Sequence, residues 1–184
     1  MMTVQPHRFG TASAYVAGKT VTSLANTTIS PGSAGGFQVR KSGGVAGSWD
    51  AAAIAPPISG NSRVRIQFGS GDYRAGLSVN PAGATGPATG ANGAYLVWVT
   101  GGLVYLLDRF NNQLGTNQGA ATGFAWVDYN AGDDKVRFYK STSSDFGSAA
   151  LIRTEGPVGA GSSWGFDSIL SSAGASFEAL FDAA

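Results

Sequence analysis

Alternation of apolar and polar positions dominates this chain, and it is clearest over residues 123–140, GFAWVDYNAGDDKVRFYK. Residues 124–129 and 135–140 change character at nearly every second position, the period of a half-buried strand. Between them lie Asn130-Ala131-Gly132-Asp133-Asp134, a five-residue loop with a glycine and no large apolar side chain. The whole reads as a β-hairpin. In its returning strand Val136 and Phe138 share one face, and Arg137 and Tyr139 share the other. A slip of one residue would put Arg137 where Phe138 belongs, so the register is well specified.

The same period recurs along the chain. Residues 35–41 read as a strand with Phe37 and Val39 inward. Residues 62–69 put Val64, Ile66 and Phe68 on one face and Arg63, Arg65 and Gln67 on the other. Residues 73–80, 150–154 and 176–181 are further strands. Residues 95–100 and 103–107 flank Gly101-Gly102, two residues that take positive φ without strain. That two-residue loop sets Val99 opposite Val104, Trp98 opposite Tyr105 and Val97 opposite Leu106. One face of this hairpin is aliphatic and belongs in the core; the other carries Leu96, Trp98, Tyr105 and Leu107.

Several segments are less regular. Ala51-Ala52-Ala53, within residues 49–58, suggests a single helical turn stopped by Pro56-Pro57. Residues 164–170 read as a strand or as a short helical turn with Asp167 as its N-cap. Residues 1–33 are either the first hairpin of the domain that follows from residue 34 or an arm that docks on a partner. Residues 81–93, PAGATGPATGANG, lack charge and large side chains and are expected to form a mobile loop. Residues 110–123 are a polar connection turning at Asn111-Asn112, and residues 141–149 and 156–163 are loops. No helical period and no repeat of fixed length occurs. The expectation is mostly antiparallel strand, with helix below about 10% against the usual third.

The hairpin at 123–140 resembles the late hairpin of SPRY and other concanavalin-like sandwiches, in which a Val-x-x-Asp-Tyr-like strand turns at a glycine and returns as Val-x-Phe-Tyr. The residues that carry the likeness are Val127, Asp128, Tyr129, Gly132, Val136, Phe138 and Tyr139. It extends loosely to residues 64–69 and 76–78 upstream and to residues 164–167 and 177–181 downstream, about two-thirds of the chain. The resemblance implies an all-β, antiparallel two-sheet jelly-roll sandwich. A folding pattern does not carry a function with it.

Composition narrows the chemistry. The 184 residues suffice for one sandwich domain with a real core. Cysteine is absent, which excludes disulfides, a thiolate nucleophile and zinc–thiolate sites. Charged residues make up 12% and the net charge is +1, which argues against a nucleic-acid groove or a polybasic membrane surface. Residues 1–10 have no apolar core of a signal peptide. The most apolar run, residues 95–107, is broken by Gly-Gly and too short to span a membrane. The expectation is a soluble protein made in the cytoplasm.

Catalytic groups are sparse. His7 is the one histidine and sits near the N-terminus, where a solvated side chain is the simplest reading. Glu155 and Glu178 are the two glutamates, and no strand carries the spaced carboxylates of a concanavalin-like glycanase. Asp133 and Asp134 next to Gly132 have the look of a calcium loop, but adjacent carboxylates in a turn are more often solvated. No phosphate loop follows Gly83, Gly86, Gly90 or Gly93. The expectation is therefore a protein that is not an enzyme and has no cofactor and no metal.

Aromatic side chains remain as candidate binding groups. A sugar ring offers an apolar C–H face to an aromatic ring, and its hydroxyls meet Asn, Asp and Arg. Trp98 with Tyr105, and Trp126, would form such a platform, with Arg65, Gln67, Arg137 and Tyr139 as polar partners. Trp49, Asp50, Tyr73 and Arg74 are a second candidate rim. The low charge and the turn-rich Gly/Ala/Thr/Asn loops resemble fibre, spike and tail proteins of bacteriophages and phage-like particles. That resemblance implies a virion-surface protein that binds cell-surface carbohydrate and meets other virion proteins, the latter through residues 1–33. A SPRY-like protein–protein adaptor is the alternative, and a polysaccharide-degrading enzyme the third reading.

Overall fold

A computed structural model describes residues 13–16, 19–33, 35–81, 93–159 and 163–184. His7 and most of the 81–93 loop lie outside the described residues. Among the described residues fourteen strands form two antiparallel sheets of seven. In chain order they are β1 (Ser13–Val16), β2 (Lys19–Ala25), β3 (Thr27–Pro31), β4 (Phe37–Lys41), β5 (Ala51–Ile54), β6 (Ser62–Ser70) and β7 (Tyr73–Ser78). There follow β8 (Ala94–Thr100), β9 (Leu103–Leu107), β10 (Phe124–Asn130), β11 (Lys135–Ser141), β12 (Ala150–Glu155), β13 (Gly165–Leu170) and β14 (Ser176–Ala183). The one helical piece among the described residues is a 3₁₀ turn, Phe146–Ser148.

The first sheet runs β1-β2-β5-β13-β7-β8-β9 and the second β12-β11-β10-β6-β14-β4-β3. The chain passes repeatedly from one sheet to the other, so neither sheet is complete until the end. β13 enters the first sheet between β5 and β7, and β14 enters the second between β6 and β4. This is the expected all-β jelly-roll sandwich, concanavalin-like in architecture.

Inward side chains of both sheets make one core. Phe37, Val64, Ile66, Val127, Tyr129, Phe138, Phe177 and Phe181 come from the second sheet, and Tyr73, Leu77, Val97, Leu106 and Phe166 from the first. Phe37 meets Phe166 edge-on at 5.1 Å across the gap, and Tyr73 stacks on Phe177 at 4.7 Å. The two hairpins fold in the expected registers. Val99 faces Val104, Trp98 faces Tyr105 and Val97 faces Leu106, with Gly101 and Gly102 both at positive φ. Val127 faces Phe138 and Asp128 faces Arg137.

One expectation needs correction, and one ambiguity is resolved in favour of a strand. Ala51-Ala52-Ala53 is no helical turn but the start of β5, fully buried between β2 and β13. Alanine has no strong strand preference, but a strand enclosed on both sides has little room for side chains, and burial overrides propensity. Residues 165–170 form β13, a strand with every residue buried, and Asp167 lies inside it rather than at a helix start. Its period is hidden because both faces are covered, as happens for strands buried on both sides.

The free edge of β9 is covered by the polar connection that follows it. Leu114, Gln118 and Ala121 donate backbone bonds to Leu106, Val104 and Gly102. The Lys140 ammonium donates to the Gln118 and Ala120 carbonyls and ties this segment to the second sheet. An edge occupied in this way is shielded from pairing with another chain.

Candidate ligand-binding face

The registers of the second sheet sort its outward side chains into rows that cross several strands. One row reads Arg137, Asp128, Arg63, Asp182 across β11, β10, β6 and β14. The next reads Tyr139, Trp126, Arg65, Leu180. The third reads Phe124, Gln67, Glu178, Gln38 across β10, β6, β14 and β4. The face is thus a ladder of alternating charge beside an aromatic row and a row rich in hydrogen-bonding groups. Opposite charges on neighbouring strands stabilise such a sheet and fix its register.

The loop after β11 folds back over this face. Asp145 caps the 3₁₀ turn through the Gly147 amide at 3.2 Å, and the turn carries Phe146 over the rows. The Phe146 ring lies 4.8 Å from Tyr139 and 5.8 Å from Trp126, with the Arg63 guanidinium 3.6 Å above its centroid. Arg63 also donates to Asp128 at 2.8 Å. Arg65 sits 5.6 Å from the Phe124 ring. Beside Phe146 opens a cleft of about 220 Å³ lined by Arg63, Arg65, Trp126, Phe146, Leu180 and Asp182 among others.

Charge on this face is held by pairing. Arg137 donates to Asp133 through both terminal guanidinium nitrogens, which keeps the Asp133 carboxyl below its ordinary range and raises Arg137. Burial lowers Arg65 and raises the Tyr139 hydroxyl. The second loop aspartate, Asp134, accepts from the Tyr129 hydroxyl at 3.3 Å and the Gly159 amide at 3.0 Å. Both aspartates therefore have protein partners. Among the described residues no cluster of three or more His, Cys, Asp or Glu side chains is placed to hold a metal.

The candidate residues divide between two surfaces. Arg65, Gln67, Trp126, Arg137 and Tyr139 share the outer face of the second sheet. Trp126, however, is 2% exposed beneath its neighbours and offers no platform. The ring that reaches the cleft over it is Phe146, in a loop whose sequence carries no period. Trp98 and Tyr105 lie 5.1 Å apart on the opposite side of the molecule, on the outer face of the first sheet. Arg74 joins them there, 5.1 Å from Trp98 and 4.7 Å from Trp49, and donates to Asn111 at 2.9 Å. Tyr73 belongs to neither surface: it points inward, fully buried, its hydroxyl accepting from the Gly69 amide and pushed to a higher pKa by burial. Residues 73–78 alternate, so Tyr73 and Arg74 necessarily take opposite faces.

Trp98 rests partly buried on Ala94, Leu96 and Leu107. Its indole N–H is buried and has no acceptor among the described residues. Trp98→Ala should cost about 1–3 kcal/mol, between a core and a surface change. Trp98→Phe should be nearly neutral, because it keeps ring contact and removes an unsatisfied donor. Thermal melts of both variants check this.

Glu155 and Glu178 are separated by four strand spacings across the sheet, at least about 19 Å, beyond the reach of a glycosidase carboxylate pair. Glu155 pairs with Arg153, and Glu178 accepts from the Ser33 amide and hydroxyl.

No protein-family model matches the chain, and no curated protein matches it in sequence. Solved structures do match in shape. The TRIM65 PSpry domain superposes with a TM-score of 0.56 at 14% identity, over 86% of this chain and 90% of that one. Stonustoxin superposes with 0.58 at 12% identity, over 88% of this chain but only 28% of the toxin chain. Lectin II from Ulex europaeus reaches 0.46 at 13% identity, over 88% and 92%, a distance at which no argument is drawn. At these identities the likeness shows the fold alone: an antiparallel β-sandwich of the kind that SPRY domains adopt.

Proposed function

We propose that this protein is a non-enzymatic binding module whose outer face on the second sheet takes carbohydrate. The observation that carries the reading is the cleft beside Phe146. An aromatic ring, two guanidinium groups and a carboxylate line one concave space, the set that stacks on a sugar ring and hydrogen-bonds its hydroxyls. At about 220 Å³ it is smaller than the ~300–1,000 Å³ of sites that enclose a whole small molecule. It suits one ring of an extended chain whose other rings lie along the rows outside. The separation of the two glutamates supports binding without cleavage.

The neutral, turn-rich composition supports a place on the surface of a virion or phage-like particle. Capsid and tail genes beside this one are the expected observation there. Residues 13–16 and 27–31 are edge strands of the two sheets, so contact with other particle proteins through residues 1–33 would use sheet edges.

A glycan array run beside a peptide display screen tests the reading. Glycan ligands are expected, and Phe146→Ala should weaken them about tenfold, the effect of losing a buried anchor worth over 1 kcal/mol. Phe146 is partly buried against Tyr139 and Trp126, so the melting temperature should fall by a few degrees at most, and binding is compared at equal folded fraction. Peptide ligands with no glycan ligand would overturn the proposal in favour of the adaptor. Release of reducing ends from a bound polysaccharide would overturn its non-enzymatic part.

A further inference from the structure

A second and larger cleft, about 590 Å³, opens at the rim of the second sheet toward β3 and β4. Thr28, Arg40, Lys41, the Ser42-Gly43-Gly44 turn and Ala173-Gly174 line it. Arg40 is exposed and outward on β4; the Asp50 carboxylate, packed behind Gly44, is not among the lining residues and is bound to Lys41 and the Val45 amide. Lys41, the other cation there, is already used. Its side chain is 1% exposed, and the ammonium is turned into a cage made by Asp50 and the carbonyls of Val45, Ser48 and Ser171. The amides of Ser42 and Gly43 both donate to the Asn26 carbonyl, so the turn is fixed. Gly44 and Gly174 stand at positive φ, and their amides and that of Ala173 donate to no acceptor among the described residues. A rigid turn with spare amides beside one uncommitted guanidinium favours a compact oxyanion.

This cleft and the one beside Phe146 lie on the same sheet. Arg40 is opposite Ser176, and Leu180, on the wall of the first cleft, is four residues further along β14. Rise and strand spacing put the two about 14 Å apart. The Gln67, Glu178, Gln38 row crosses the ground between them.

We infer that the carbohydrate is an acidic polysaccharide, with a sugar ring beside Phe146 and a carboxylate-bearing sugar held by Arg40 and the 42–44 and 173–174 turns. This rests on the glycan reading above. Polygalacturonate and the same polymer fully methyl-esterified share a backbone and differ in the charge of the carboxyl and the methyl that caps it; they form the test, with free galacturonate as a third arm. Wild type should bind the acid at least about tenfold tighter than the ester. Arg40→Ala should bring the acid down to the ester's affinity, and Arg40→Lys should restore part of the difference. Free galacturonate should shift the amide signals of Gly44, Ala173 and Gly174. Equal binding of acid and ester, unchanged by Arg40→Ala, overturns the inference and leaves the glycan reading standing. Binding of free galacturonate at these amides without binding of either polymer overturns the glycan reading and leaves a site for a small anion. No binding in any arm overturns the inference.

Discussion

Phe177→Ala is expected to destabilise the protein by about 3–5 kcal/mol, the usual cost of truncating a core phenylalanine. Phe177 is 1% exposed near the start of β14. Its ring stacks on Tyr73 at 4.7 Å and lies 6.4 Å from Phe166, so it joins the last strand of the second sheet to two strands of the first. The neighbours are backbone-anchored strands that cannot collapse into the space, which puts the cost toward the upper end. For a domain of this size the melting temperature should fall by about 6–20 °C. Leu151→Ala is the matched control. Leu151 is 55% exposed on β12, and its truncation should stay within about 0.5 kcal/mol. If both variants melt alike, the core does not pass through Phe177.

Lys41→Met is the second large effect. Methionine keeps most of the apolar stem but removes an ammonium that three carbonyls, at 2.8–2.9 Å, and the Asp50 carboxylate surround. Those acceptors would keep no comparable donor, and the expected cost is about 2–4 kcal/mol. The cage ties the 42–50 loop to Ser171 at the end of β13, so loosening should reach both. Hydrogen exchange of the Gly47 amide, which donates to Ser171 at 3.1 Å, reports it locally.

The same pair gives a pH dependence. The bond from Lys41 holds the Asp50 carboxyl below its ordinary value, and Arg137 does the same for Asp133. Groups with depressed folded-state pKa contribute stability above their unfolded value of ~3.9 and lose it as pH falls through the folded value. Wild-type stability should therefore decline below about pH 4. Lys41→Met should show a shallower decline. An equally steep acid limb in the variant would remove Asp50 from the account.

Hairpins were legible in the sequence because their information is local. Gly101-Gly102 fixes which residues face each other across two strands, and the period of two then assigns every side chain to a face. The same logic separated Val136 and Phe138 from Arg137 and Tyr139, and placed Arg63, Arg65 and Gln67 together outside. Strands enclosed on both sides carry no such period. That is why Ala51-Ala52-Ala53 suggested a helical turn and why residues 164–170 stayed ambiguous.

The sequence by itself thus determined strand, register within hairpins and the inward or outward sense of most side chains. Only the tertiary structure decided which strands from distant parts of the chain became neighbours. β6 lies between β10 and β14, an order no local signal encodes, and it brings Arg63, Arg65, Asp128, Trp126 and Asp182 onto one surface. Sheet membership sent Trp98 and Trp126, outward-facing on their own hairpins, to opposite sides of the molecule. An aperiodic loop then laid Phe146 over Trp126, exchanging the ring that meets solvent. The physical reason is common to all three. Alternation says which face of a strand is apolar, but the sheet a strand joins is chosen by the sum of long-range packing in one shared core.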